Sequence, residues 1–548
     1  MPICQRIFVF SLLTPMPSFP NLSDAGSSYD QTPYPAAAHA QTHPNRLAAI
    51  ARLFGVAAAD PTKARVLELG CADGANLLPM ADQYPSATFL GIDASKVQIA
   101  EGHRALAASG LKNIELRHQD IEEFSPTEGR FDYIIVHGIF SWVPPAVREK
   151  ILSICATHLT GNGIAYISYN ALPGWNMRGS LRDMMVYHTK GIADPKQKIQ
   201  QARALLAFMA ESVPGENNAY GMLLKSELEF IRGQTDSYVI HDFLEENNTP
   251  FYFHEFVSLA DPHGLQYLGE PGIAQMLASN FPAKVYDTLT QVSGQIVRQE
   301  QYMDFLRNRL FRQTLLCRKG IDIQRNISPD KLEKFAFRSL VKYSDAAIDL
   351  TPGVSASYTT VNGANLTTND TFVKALLQGL GETGGVSAVS YRDLLDITRL
   401  KSRPLLGPVP ANRDQIDTDT LSMNLLTLLA KGFVEIYADP VVVTARVPNT
   451  PAVSPLVRYQ ALNSRFVTNR VHQPHPADAL GRYVIGLCNG QRTRDEILNG
   501  LVTFVRQDKL HVKEGEKRVT DVQRIRTLLE PQVDRVLGKM AGAGFFGS

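Results

Sequence analysis

"VLELGCADGANL", residues 66 to 77, decides the fold. Val66 to Leu69 read as a buried strand, and the chain then breaks at Gly70 into a short turn ahead of a helix. Strand, glycine turn and helix in succession is how an open α/β sheet receives a ligand, because free backbone N–H groups and a helix N-terminus meet it there. As a dinucleotide fingerprint the stretch fails. Counted from Gly70, the next two glycine places hold Ala72 and Ala75, and a methyl at 72 blocks the close approach of a pyrophosphate.

Working outward, "TFLGID", "IELRHQD", "FDYIIVHG" and "GIAYISYN" repeat the rhythm of short apolar strands separated by amphipathic stretches up to about Tyr169. That alternation predicts an α/β domain with a mainly parallel sheet. Three successive strands end in an acid: Glu68, Asp93 and Asp120. S-adenosylmethionine (SAM) has no phosphate; it presents an ammonium, a carboxylate, a sulfonium, a ribose and an adenine. A turn that holds it tolerates a side chain at 72, with Gly70 and Gly74 keeping the bend tight and Glu68 offering an acid. Asp93, followed by Ala94, is placed to accept from both ribose hydroxyls. Asp120 is placed to accept from the adenine amine while Ile121 offers its backbone N–H. Cys71, Ala72 and Asn76 complete the candidate contacts of the turn. The competing reading makes the three acids N-caps of the helices that follow.

The two tryptophans of the chain fall just past the fourth and fifth strands, Trp142 in "HGIFSWVPP" and Trp175 in "SYNALPGW". Ligands of open α/β sheets bind at the carboxyl ends of the strands, so these rings, with His137, Tyr169 and Asn170, are expected to wall an acceptor pocket. An amine acceptor must shed a proton from a pKa near ~10.4 before it attacks. Aromatic desolvation helps that loss, and a Tyr hydroxyl or Asn carbonyl can orient the remaining N–H. Tyr169, Asn170, Trp175 and His137 are therefore the candidate catalytic residues.

The rest of the chain sets bounds. At 548 residues it is too long for one core, and its 44% hydrophobic and 20% charged content is that of an ordinary globular protein. A net charge of +1 gives no bulk field toward nucleic acid, so none is expected as a partner. Five scattered cysteines without a CxxC pair, and histidines without ligand spacing, predict neither a disulfide framework nor a metal site and suit a reducing, cytoplasmic location. No stretch approaches the ~20 apolar residues that span a bilayer, so no membrane insertion is expected. "MPICQRIFVFSLLTPMP" imitates a signal peptide only weakly, and residues 1–28 read as an unstructured tail.

After Gly179 the pattern turns helical, ending in "QYMDFLRNRLFRQTLLC", where Tyr302, Leu306 and Leu310 step by four. Further on, "LSMNLLTLLAKGFVEIY" reads as a helix stopped at Gly432 and followed by a strand, the local pattern of a winged helix. "DALGRYVIGLCNGQRTRDEILNGLV" repeats half of it. With no concentrated basic face, these units are expected to pack or bind protein. Arg307, Arg309 and Arg312 read as a solvated or interdomain salt-bridge face.

With these residues in view, the sequence resembles bacterial class I methyltransferases that carry a methyltransferase regulatory domain, a group that includes the rickettsial lysine methyltransferases acting on an outer-membrane protein. The resemblance runs from about Tyr29 to the C-terminus and rests on "YDQTPYPAAAHAQTHPNRLAAIARLFG", "ELGCADGANLLPMA", "FDYIIVHGIFSWVP", "SYNALPGW", "HDFLEENNTPFYFHEF", "HGLQYLGE" and "DFLRNRLFRQTLLC". It implies a Rossmann-like methyltransferase core over 29–215 with an N-terminal lid segment, a helical regulatory domain over 216–325, and winged-helix-like modules over 326–450 and 451–548. It also implies that "YPAAAHAQTHP" folds over the cofactor, making Tyr34, Thr42 and His43 lid contacts. Asp73 and Ala75 depart from the group, where Ser and Gly are usual. The expected function is SAM-dependent methylation of lysine in a protein substrate, with a surface or outer-membrane protein met before export as one candidate. A small-molecule N- or O-methyltransferase and a non-catalytic SAM-binding scaffold are the alternatives. Nothing in the sequence sets the oligomeric state.

Overall fold

In the computed structural model, which describes residues 8–12, 36–343, 348–382, 384–406, 412–515 and 517–547, the stretch that opens the sequence analysis supplies the centre of a sheet. The sheet has seven strands: β1 (Arg65–Leu69), β2 (Thr88–Asp93), β3 (Ile114–His118), β4 (Phe131–Val136), β5 (Leu159–Asn170), β6 (Leu265–Gly269) and β7 (Phe311–Arg318). Their order across the sheet is β3-β2-β1-β4-β5-β7-β6. The first five run parallel, while β7 is antiparallel to both β5 and β6. The order reverses between β1 and β4, so the crevice at their carboxyl ends is the place where such a sheet takes a ligand. β1, β4 and the last eight residues of β5 are buried on both faces, which is why they read as apolar runs and not as alternating ones.

Two strands of this sheet come from the segment that the sequence assigns to a helical domain. The run ending in "LRNRLFRQTLLC" is a helix only over Ile296–Arg307. Asn308 enters the left-handed region at φ 49°, and the chain leaves as β7. Leu310 therefore does not continue the i+4 series of Tyr302 and Leu306. A boundary at 215/216 also cuts through the sheet, because β6 and β7 complete it from beyond that point. The intervening helices Gly174–His188, Pro195–Ser212 and Ala219–Arg232, with the π-helical turn Ile240–Leu244, do form a core of their own around Leu181, Leu206, Leu224 and Phe243.

The helix Pro44–Leu53 is buried at nearly every position, and a helix apolar and enclosed all round lies between larger bodies. Asn45 exchanges hydrogen bonds with the backbone of Asp439, and Arg46 pairs with Glu435 at 2.8 Å. Both contacts reach the 326–450 unit, where Ala336–Ser339 runs antiparallel between Val389–Ser390 and Val434–Tyr437. The helix Arg413–Ala430 ends at Gly432, φ 72°, directly ahead of the last of these strands. At the C-terminus, helices Ala479–Leu487, Arg494–Arg506 and Val522–Gly542 enclose a second core, with a small wing formed by Leu510–Glu514 and Lys517–Arg518.

One correction concerns the N-terminus. Phe8–Leu12, read as part of an unstructured tail, is a strand that pairs antiparallel with Leu510–Glu514. A β-prone run satisfies its backbone groups at the free edge of the wing, and only the long-range partner makes that possible. No helix among the described residues is long and apolar enough to cross a membrane.

Candidate functional site

The turn after β1 is tied down by its own sequence. Gly70, Ala72 and Gly74 all lie at positive φ (72°, 52° and 77°). At Gly70 a side chain is disfavoured by the positive φ, and a Cβ there would also have to displace the Ile139 side chain. Ala72 holds the left-handed conformation at a cost of about 1–2 kcal/mol, offset by its N–H donating to Asp93 Oδ2 at 2.8 Å. Asp93 Oδ1 accepts from Ser95 N at 2.8 Å. Asp93 thus clamps the turn and also lines the cavity above it.

That cavity measures 380 Å³ and runs from the turn to the two tryptophans, within the usual range of small-molecule sites. At its acid end stands Glu68, 3% exposed, whose pKa burial pushes up to about 8. Glu68 Oε1 accepts from Asn76 Nδ2 at 2.7 Å, whereas Oε2 has no hydrogen-bond partner among the described residues. A buried carboxylate oxygen left unpaired costs about 1–3 kcal/mol, and a cationic group in the cavity would satisfy it. Asn76 is the hub of this end. Its Oδ1 accepts from His39 N and from His472 Nε2, both at 2.9 Å, and its Nδ2 lies 3.0 Å from Thr42 Oγ1. Sequence reasoning places Thr42 among the lid contacts but gives no signal for His472, 396 residues away from Asn76.

Midway, His137 Nδ1 lies 3.0 Å from the Tyr166 hydroxyl and 3.2 Å from Ser168 Oγ, and its ring sits 3.9 Å from that of His39. Burial first, and the neighbouring His39 second, hold the His137 pKa well below the ordinary imidazole range, so the ring is neutral. At the far end, the Trp142 and Trp175 rings meet edge to face at 6.1 Å, a favourable aromatic arrangement. Asn170 Nδ2 donates to Asn248 Oδ1 at 3.1 Å, and Arg178, Tyr238, His241 and Asp242 close the wall.

The structure brings Glu68, Gly70, Cys71, Ala72, Asn76, Asp93, His137, Asn170 and Trp175 onto this one cavity. Tyr169 does not join them. Neighbouring strand residues face opposite ways, so with Asn170 on the cavity side Tyr169 points into the core. There its ring stacks on Phe256 at 4.2 Å and its hydroxyl meets Thr314 Oγ1 at 3.0 Å. The tyrosine of β5 that does reach the site machinery is Tyr166. Asp120 accepts from Glu122 N at 2.8 Å as the N-cap of a short helical turn; Asp120, Ile121, Ala94 and Gly74 are not in the cavity wall. His43 caps the helix Pro44–Leu53 behind the turn, 5.0 Å from the His472 ring. Tyr34 lies outside the described residues. Asp73 turns inward, accepting from Ala75 N at 2.9 Å, so neither departure from the family pattern faces the cavity.

Comparison with known proteins gives three family matches: a methyltransferase domain over residues 66–163, a predicted methyltransferase regulatory domain over 235–318, and the PKMT C-terminal winged helix domain over 449–545. An uncharacterized protein of Rickettsia prowazekii is 37% identical over 514 residues, covering 92% of this chain and 90% of that protein. The crystal structure of PKMT2 from Rickettsia typhi in complex with AdoHcy superposes with a TM-score of 0.82 at 32% identity, over 94% of this chain and all of that one. A trans-aconitate 2-methyltransferase of Deinococcus radiodurans is 31% identical over 108 residues, 20% of this chain and 38% of that protein.

Proposed function

This chain belongs to the methyltransferase family of Rickettsia typhi PKMT2, it is a SAM-dependent methyltransferase, and we propose that its acceptor is the side-chain amine of lysine in a protein. The observation that carries the acceptor reading is the single cavity joining an acid-lined turn to a pair of tryptophans. SAM, when bound, supplies an electrophilic methyl on a sulfonium. The chain's own residues do the rest. Glu68, steadied by Asn76, holds the positive end of the amino-acid portion at its unpaired oxygen, and Asp93 holds the ribose. Asp120 and Ile121, just past the end of β3 and beyond the cavity wall, would be the residues to hold the adenine. His137, kept neutral, adds no positive charge beside a sulfonium. Trp142 and Trp175 exclude water from the acceptor, and Asn170 orients it. Once it has lost its proton, an amine held within about 3–3.5 Å in line gains rate from that placement.

A small-molecule acceptor is the weaker reading, because the likeness to trans-aconitate 2-methyltransferase covers only 20% of this chain. A scaffold that only binds SAM would have no use for a cavity that continues to the tryptophans. We place the reaction in the cytoplasm, in keeping with the four described cysteines, which are free and buried. As the substrate we propose a surface or outer-membrane protein met before export, a reading that rests on the resemblance in sequence alone. The test is incubation of the full chain with tritiated SAM and a bacterial lysate. Label on protein, recovered as ε-N-methyllysine after hydrolysis, is the expected result. Label confined to small metabolites, or SAM binding without transfer, would overturn the reading.

A further inference from the structure

The acceptor end holds a carboxylate that the fold does not use. Asp242 belongs to the π-helical turn Ile240–Leu244 and lines the cavity together with Trp142, Trp175 and Asn170. Such turns are rare in proteins and are frequent at functional sites. No described residue donates a hydrogen bond to the Asp242 carboxylate; what acts on it is burial, opposed by the charges of Arg178 and His241. Burial prevails and lifts its pKa to about 7.

The neighbouring charges are already engaged. Arg178, also in the cavity wall, pairs with Glu227 at 3.2 Å, and its guanidinium lies over the rings of Phe230 at 4.8 Å, Phe243 at 5.8 Å and, at the longest range, Trp175 at 6.0 Å. His241 Nδ1 sits 2.9 Å from Glu245 Oε1. With Arg178 matched by Glu227, the negative charge of Asp242 stands surplus in the wall beside two indole rings. A desolvated cation needs such a place. An ion taken from water loses several kcal/mol unless it is paired, and an aromatic face adds about 0.5–2 kcal/mol of cation–π attraction.

We propose that Asp242, with Trp142 and Trp175, binds the alkylammonium group of the acceptor, so that the regulatory segment supplies the charge selectivity of the active site. The proposal rests on the lysine reading and sharpens it. An ammonium meets a carboxylate and two aromatic walls, a hydroxyl acceptor leaves the carboxylate unpaired, and a carboxylate acceptor is repelled. The domain that carries Asp242 is then a part of the active site as well as a neighbour of it.

The chain's two tryptophans both line the cavity, so intrinsic fluorescence reads the acceptor end directly and needs no turnover. The full chain, saturated with AdoHcy, is titrated with n-butylammonium and separately with 1-butanol, its neutral counterpart of similar shape. A saturable change with butylammonium is expected. Asp242→Asn should weaken it about tenfold or more, equivalent to about 1.4 kcal/mol, with butanol unaffected by the substitution. Asp242→Glu should recover most of the affinity. Butylammonium binding that is the same in Asp242→Asn and wild type overturns the proposal. So does an Asp242→Asn variant that loses AdoHcy affinity in parallel, which would mark a structural role. If wild type binds butylammonium through Asp242 yet labels no protein lysine, the ammonium site stands and the protein-lysine reading falls. Lysine labelling unchanged in Asp242→Asn sinks the site alone.

Discussion

Glu68 is a carboxylate with one oxygen engaged and one buried without a partner, and its pH behaviour follows from that. With a pKa of about 8 the free protein carries Glu68 protonated at neutral pH. A cationic group placed against Oε2 favours the ionised form, so cofactor binding should release a proton. Affinity for SAM is expected to rise from pH 6 to about 7.5, below the range in which an α-ammonium loses its own proton, and calorimetry in buffers of different ionisation enthalpy should detect the proton released by Glu68. Glu68→Gln should abolish both effects. The stability of the free chain has the opposite slope. Between the ordinary carboxylate pKa of 4.5 and about 8 the folded state binds more protons at this site than the unfolded chain, so this site's contribution falls as pH rises through that window. Most of this end was legible in the sequence, because a glycine turn and strand-end acids are local features. Tyr169 misled for an equally local reason. Its place beside Asn170 suggests that both face the crevice, although the period of two in a strand forbids it, and Tyr166 is the residue whose hydroxyl meets His137.

At the scale of elements, the turn after β1 is held from the far end of the chain. His472 stands at φ 60° in the loop between two short strands, and its Nε2 lies 2.9 Å from Asn76 Oδ1. Burial keeps the ring neutral, so the proton that satisfies Asn76 is on Nε2. Removing that donor leaves Asn76 Oδ1 one partner short and loosens the group that steadies Glu68. A lost hydrogen bond of this kind is worth about 0.5–1.5 kcal/mol. His472→Ala is therefore expected to raise the SAM dissociation constant about threefold to tenfold, with His472→Gln nearer wild type, both measured by calorimetry. No periodicity or spacing announces such a contact. Elsewhere the helix, glycine and strand around Gly432 were legible because each signal is local. The exit from helix to β7 was not, since only the left-handed Asn308 and a distant strand partner decide it.

Across the whole molecule, the sheet and the helical segment are locked by a buried charge cluster. Arg312 is fully buried, pairs with Glu270 at 2.8 Å, Glu300 at 2.9 Å and Asp304 at 2.8 Å, and has its guanidinium 3.9 Å from the centre of the Phe253 ring. Arg309 adds a second cation, 2.7 Å from Glu270. Two guanidiniums facing three carboxylates leave one negative charge in excess, and burial pushes Glu300 up to about 7 accordingly. The arginines of this stretch read as a solvated or interdomain face; Arg312 is instead an interior group, paired across long sequence distances that local patterns do not reveal. Arg312→Met would strand the carboxylates and should cost about 3–5 kcal/mol of stability, seen as a lowered denaturant midpoint. The same long-range closure makes the catalytic core inseparable from residues beyond 215, which complete its sheet and supply Asp242. On the proposed function, cofactor and acceptor meet in the cavity these parts enclose. A crystal structure of the full chain with AdoHcy and a lysine peptide would show whether they do. The lysine amine is expected against the wall that Trp142 and Trp175 form together, facing the sulfur; a peptide whose lysine lies away from this cavity would refute that arrangement.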